Sequence, residues 1–233
     1  MKKPVFVNDH IYHIFNRGVE KRDIFMNDGD YLRFVHNLYE FNNEEQVSNL
    51  NYYINSKNGG IEKRYMKRDT GPRKLLVEVL VFTLMPNHYH LLLRQTRDNG
   101  IVKFMQKLGT GYTNYFNKKY DRVGSLLQGR FKAAMVNSNE HFIHLPFYIH
   151  TNPLDLNYRS STSIEFLEGY RWSSFPDYIG KRNFPFVTER NFILDTFGGH
   201  EKYREYTMER LKHADSKHLA NEISDVIIEV ELR

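Results

Sequence analysis

The segment Pro86-Asn87-His88-Tyr89-His90-Leu91-Leu92-Leu93 sets two imidazoles two residues apart in an apolar, strand-forming context. In a strand alternate side chains share a face, so His88 and His90 project together while Tyr89 and Leu91 project to the other side. Two imidazoles held this way can chelate a divalent ion, and an amide or carboxylate third ligand would leave coordination positions free for a phosphate oxygen. The alternative is a pair of histidines that are satisfied by hydrogen bonds or simply exposed. In a second segment, Phe147-Tyr148-Ile149-His150-Thr151-Asn152-Pro153, Tyr148 and Asn152 are four apart and share one face of a helix. A tyrosine beside a metal-held phosphate can attack phosphorus through its phenolate, and the Asn152 amide oxygen can complete the metal shell. With 16 tyrosines in the chain, the alternative for Tyr148 is a packing residue.

These segments need a scaffold, and the pattern along the chain supplies one. Residues 10–15 read as a first strand closed by the turn Asn16-Arg17-Gly18. Tyr31, Phe34, Val35, Leu38 and Tyr39 recur at helical spacing, with Asn27 or Asp28 as cap. Residues 43–74 lose any period and gather Lys63, Arg64, Lys67, Arg68, Arg73 and Lys74. They read as an extended basic loop, either a phosphate-binding finger or a solvated excursion.

Residues 75–84 form a nearly continuous apolar run, the mark of a strand buried on both faces, and Met85-Pro86-Asn87 turns the chain into a strand over 88–94. A long helix follows Gly100, weakened near its middle by Gly109 and Gly111. A strand over 131–136 leads to a helix beginning near Glu140 and ending before Pro153. Pro146 marks either a kink in that helix or its true start. A helix over 200–212 reads as an addition. The expected fold is α+β, a ferredoxin-like antiparallel sheet packed by helices with a C-terminal helical extension. The main domain would cover residues 1–185, with its basic loop near 57–74, and the extension 186–233.

Thirty-three Lys and Arg against 28 Asp and Glu give a formal charge of +5 and a pI near 9.2, which suits a polyanionic partner. Aromatic residues make up 15% of the chain, enough to fill a core and still offer faces for unpaired bases. Without cysteine, disulfides and thiolate zinc sites are excluded. No stretch approaches the roughly 20 apolar residues of a membrane span, and the N-terminus has no apolar signal core, so a cytoplasmic protein without membrane contact is expected.

Taken together, Met85-Pro86-Asn87-His88-Tyr89-His90 and the later Tyr148-Ile149-x-x-Asn152-Pro153 resemble the HUH single-tyrosine transposases, in particular the REP-associated tyrosine transposase branch. Similar stretches are Tyr12-His13-Ile14-Phe15-Asn16-Arg17-Gly18, Gln128-Gly129-Arg130-Phe131-Lys132 and Tyr170-Arg171-Trp172-Ser173-Ser174, so the resemblance covers roughly residues 10–180. It implies a metal-dependent endonuclease and strand transferase acting on single-stranded or hairpin DNA through a 5′-phosphotyrosine. Mg²⁺ or Mn²⁺ would be held by His88, His90 and Asn152, with Tyr148 as nucleophile, in a monomer or homodimer. Arg17 joins Arg130 and Lys132 as candidate DNA contacts, the last two with a plain strand-edge charge as alternative. His144, four before Tyr148, can orient the phenol or the DNA, or merely pack. Trp172 and the two serines after it are assigned packing and a turn. The rival readings are an inactive nucleic-acid-binding regulator of the same fold and a metal-dependent hydrolase using water.

Overall fold

The computed structural model describes residues 5–45, 52–54, 61–63, 73–156 and 164–213. Four strands, β1 (Ile11–Arg17), β4 (Val77–Met85), β5 (His88–Gln95) and β6 (Lys132–Met135), form an antiparallel sheet in the order β4-β5-β1-β6. The α+β architecture expected from the alternation of elements is the one observed. Strand β4 and strand β5 are joined at Pro86-Asn87, with Met85 directly opposite His88.

One face of the sheet is covered by α1 (Asp28–Glu40) and α2 (Gly100–Lys119), whose Phe34, Leu38, Phe104, Leu108 and Tyr112 meet Tyr12, Ile14, Tyr89 and Leu91. The other face is covered by α3 (Asn139–Thr151) together with α4 (Ile164–Gly169), α5 (Phe175–Tyr178), α6 (Asn191–Phe197) and α7 (His200–His213). There Leu145, Phe147, Ile149, Tyr178 and Tyr203 pack with Leu80, Val81 and Leu92. Strand β4 serves both cores because the pairing slips between Val79 and Val81, so Leu80 and Val81 both turn to the α3 side. Each fully buried Leu or Phe in these layers contributes about 1.5–3 kcal/mol of transfer free energy.

The free edge of β4 is closed by the segment around Trp172. Leu84 N donates to Trp172 O at 2.8 Å and Ser174 N to Phe82 O at 2.9 Å, so the edge is paired rather than left open. Trp172 stacks on Tyr31 at 4.5 Å, consistent with the packing role expected for it.

Helix α1 is capped by Asn27, whose side chain accepts from Gly29 N. Its first turn is tied to the end of α2 by Asp30, which is fully buried and accepts from Met26 N, Tyr115 Oη, Lys119 Nζ and Tyr120 Oη. Helix α2 runs unbroken through Gly109 and Gly111. A Cβ at Gly111 would stand 2.5 Å from the Phe41 ring, so this glycine admits close packing that a larger residue would obstruct.

Two short antiparallel strands, β2 (Tyr52–Ile54) and β3 (Ile61–Lys63), lie where an open basic loop was expected. A polar sequence with little alternation does not announce such a hairpin. Arg64, Lys67 and Arg68 lie outside the described residues. Arg73 serves the fold: its guanidinium sits 3.7 Å above the Tyr39 ring centre and donates to Tyr39 O and Asn42 O. Helix α7, expected as an addition, buries Tyr203, Thr207 and Leu211, because its apolar stripe completes the core beneath α3. Among the described residues no helix is long and apolar enough to cross a membrane.

Candidate active site

Strand register brings the first motif to the face beneath α3. Phe15 of β1 is directly opposite His90, and Arg17 is opposite His88, so His13, Phe15, Arg17, His88 and His90 share one face while Tyr12, Ile14 and Tyr89 enter the other core. The paired projection of His88 and His90 expected from their spacing is observed, with ring centres 5.1 Å apart.

Helix α3 delivers the second motif. Ser138 caps it by accepting from His141 N, and the helix passes through Pro146 to Thr151, so it starts well before the proline. The Tyr148 ring stands nearly perpendicular to the His90 ring at 5.5 Å and to the His13 ring at 6.1 Å. Asn152 follows on the next turn, at the junction with a 3-10 turn over Asn152–Leu156, and its amide nitrogen donates to Tyr148 O at 2.8 Å. Asn152 is near enough to both neighbours to raise the His88 imidazole and lower the Tyr148 phenol.

Burial sets the protonation states. It holds His13 down to about 3. It lowers His88, where Asn152 acts in the opposite sense and Arg17 pushes further down. His90 falls well below its ordinary value through burial first and then the neighbouring His13 and His88. All three imidazoles are therefore neutral near pH 7, each with one protonated and one unprotonated ring nitrogen. Burial also raises the Tyr148 phenol, with Asn152 pulling it down and Asp155 pushing it up, so the hydroxyl is protonated at neutral pH.

The donor set fits a divalent ion. His88 Nδ1 lies 2.6 Å from Asn87 Oδ1, and Asn87 uses its amide nitrogen on Lys21 O, so His88 carries its proton on Nδ1 and keeps Nε2 free. Among the described residues no three His, Asp or Glu side chains are placed to hold a metal by themselves, and Asn152 adds an amide next to the two imidazoles. Two imidazoles and one carbonyl-type oxygen are donors that can take a divalent ion and leave positions for substrate oxygens.

The remaining candidates divide. Arg17 is exposed beside His88 and donates to Gln128 Oε1. Lys132 lies on the same face, its ammonium 5.9 Å from the Phe15 ring centre. Arg130 is not brought to this cluster: after Gly129, with φ of +68°, it lines a groove with Asn16, Tyr89 and α2 residues on the opposite face of the sheet. His144 sits half-buried one turn before Tyr148. The residue that spacing did not single out is His13, 1% exposed, whose Nε2 is 2.9 Å from His90 Nδ1. Its strand alternation with Phe15 and Arg17 was visible, but not its strand partner.

His88, His90, Tyr148 and Asn152 fall inside a segment matched by a known family model, described as transposase, IS200 like. The match covers residues 69–152. The superfamily recognised from the motifs is thus the one that matches. Among solved structures, the chain is similar to a REP-associated tyrosine transposase bound to a REP hairpin, with a TM-score of 0.51 and 12% identity over 82% of this chain and 94% of that one. At that identity the likeness is one of fold. No curated protein matches the chain.

The matched segment is anchored to the C-terminal helices through His150, two residues beyond Tyr148. Ser174 Oγ donates to Phe82 O, so His150 Nε2 donates to Ser174 Oγ at 2.8 Å and its Nδ1 accepts from Tyr203 Oη at 2.7 Å. Burial keeps this imidazole neutral, down to about 3. Replacing Tyr203 by Phe leaves a buried nitrogen without its donor and is expected to lower unfolding stability by about 1–3 kcal/mol, read from urea denaturation. An unchanged midpoint would show that α7 does not brace the helix carrying Tyr148.

Proposed function

We propose that the chain is a metal-dependent single-stranded DNA endonuclease and strand transferase that works through a 5′-phosphotyrosine, with hairpin DNA as its substrate class. The observation that carries this reading is the placement of the Tyr148 ring against His90, with Asn152 one turn further on and bonded to Tyr148 O.

His88, His90 and Asn152 would hold Mg²⁺ or Mn²⁺. When bound, the ion supplies positive charge that favours the phenolate and neutralises the phosphoryl oxygens as the transition state forms. Tyr148 Oη attacks phosphorus, the P–O3′ bond breaks, and the 3′ oxygen leaves and takes up a proton. The 5′-phosphate stays joined to the tyrosine. A 3′-hydroxyl from another strand end can then attack the phosphotyrosine and reverse the step, so no external energy source is needed for rejoining. Packing of the ring against two imidazoles restricts its motion and holds it near the attacking position. Arg17 and Lys132, on the same face, are placed to contact backbone phosphates. The REP hairpin carried by the structural relative supports a hairpin as the substrate class.

The test incubates the whole chain with Mn²⁺ and a labelled single-stranded hairpin library, followed by denaturing electrophoresis and mass spectrometry of the protease-digested adduct. A labelled adduct on the peptide containing Tyr148 is expected. Cleavage without any adduct would replace this reading with water-using hydrolysis, and tight binding without cleavage would replace it with an inactive binder.

A further inference from the structure

We infer that His13 is a positioning residue that accepts the Nδ1 proton of His90 and so keeps the His90 Nε2 lone pair free for the metal. This rests on the metal-dependent reading above. His13 Nε2 and His90 Nδ1 are 2.9 Å apart, and the two rings lie nearly parallel, 17° between planes at 5.1 Å. Both side chains are buried, so the contact is not exchanged for water.

A single hydrogen occupies the space between these two nitrogens, and its ownership decides the chemistry. If His13 donates it, His90 in its neutral form carries its own proton on Nε2 and that nitrogen cannot ligate. If His90 donates it, Nε2 keeps its lone pair, and His13 must then hold its proton on Nδ1. Metal binding at His90 Nε2 requires the second arrangement. His88 meets the same need differently, through Asn87 Oδ1. Each imidazole of the pair thus has its own acceptor for the non-ligating N–H, the arrangement that orients a ligand ring and raises its basicity. Phe15 completes the seat: its ring lies 5.0 Å from His13 and 5.9 Å from His90, close to parallel with both. The acceptor comes from β1, outside the matched segment 69–152, so this part of the site is built by strand pairing rather than by either motif.

The test compares the wild-type chain with His13→Phe, which fills the space without an acceptor, and His13→Gln, which restores an amide oxygen. Two readouts are used: Mn²⁺ affinity by titration calorimetry, and the tautomer of His90 from long-range nitrogen–proton correlations in the metal-free, histidine-labelled chain. The inference expects wild-type His90 protonated on Nδ1. His13→Phe should bind Mn²⁺ about 10- to 100-fold more weakly and populate the Nε2–H form, and His13→Gln should recover most of that loss.

Wild-type His90 protonated on Nε2 would overturn it, as would a His13→Phe chain that keeps full Mn²⁺ affinity. Should His13→Phe fail to fold, the wild-type tautomer and the His13→Gln affinity still decide. A wild-type chain that binds no Mn²⁺ while His90 carries its proton on Nδ1 would sink the proposed function and leave the hydrogen-bond assignment standing.

Discussion

Tyr148→Phe is expected to abolish the covalent adduct and to lower strand cleavage by on the order of 10⁴- to 10⁶-fold, the scale of losing a covalent nucleophile. The substitution removes one oxygen and keeps the ring that packs edge-on against His13 and His90. What the fold loses is the phenolic hydroxyl alone, so stability should change by no more than about 0.5–1.5 kcal/mol. Mn²⁺ affinity should stay close to wild type, because His88, His90 and Asn152 are untouched. The variant therefore separates chemistry from binding: hairpin retention in a gel-shift assay with no adduct on denaturing electrophoresis is the expected pair of results. Cleavage within tenfold of wild type would remove Tyr148 from the reaction and favour an activated water. The high proton affinity of the buried phenol adds a second expectation, that strand cleavage rises with pH through the neutral range.

The second large effect concerns the fold. Asp30→Asn is expected to cost about 3–5 kcal/mol, a large share of the stability of a typical domain. The carboxylate accepts from four donors at 2.6–3.0 Å, and an amide in its place would present N–H groups to some of them and leave the Lys119 ammonium without its counter-charge. Burial alone would raise the Asp30 pKa, but hydrogen bonds from Lys119, Tyr120, Met26 N and Tyr115 outweigh it, and the folded value is lowered. A lowered folded value means that the unfolded chain binds the proton more tightly. The stabilisation is therefore fully present above the unfolded value near 3.9 and is lost as pH falls through the folded one. Unfolding curves recorded from pH 7 to pH 3 should show a wild-type advantage that is constant above about pH 5 and shrinks below pH 4. An advantage that does not change with pH would mean that Asp30 acts by shape and neutral hydrogen bonds.

The parts of the site that local periodicity controls were legible in the sequence. Strand alternation set His88 and His90 on one face whatever lay beside them, and helical spacing stacked Asn152 on Tyr148. The continuous apolar run before Pro86 announced a strand with a core on each side, and β4 has one. Ser138 and Asn27, as caps, marked where α3 and α1 begin.

What depended on pairing between distant segments was not legible. His13 meets His90 because β1 lies antiparallel to β5 in a particular register, and a shift by one residue would have turned it into the opposite core. Arg130, close in sequence to Lys132, leaves the face that carries His88 and His90 because the chain turns at Gly129 before β6 begins. Tyr203 reaches His150 across 53 residues of chain, a contact that no local pattern encodes. The sequence by itself determined the two motifs and their faces, since those follow from backbone geometry over a few residues. Only the tertiary structure decided that the motifs meet and that a third histidine stands behind the second, since strand register and helix docking are set by the packing of the whole core.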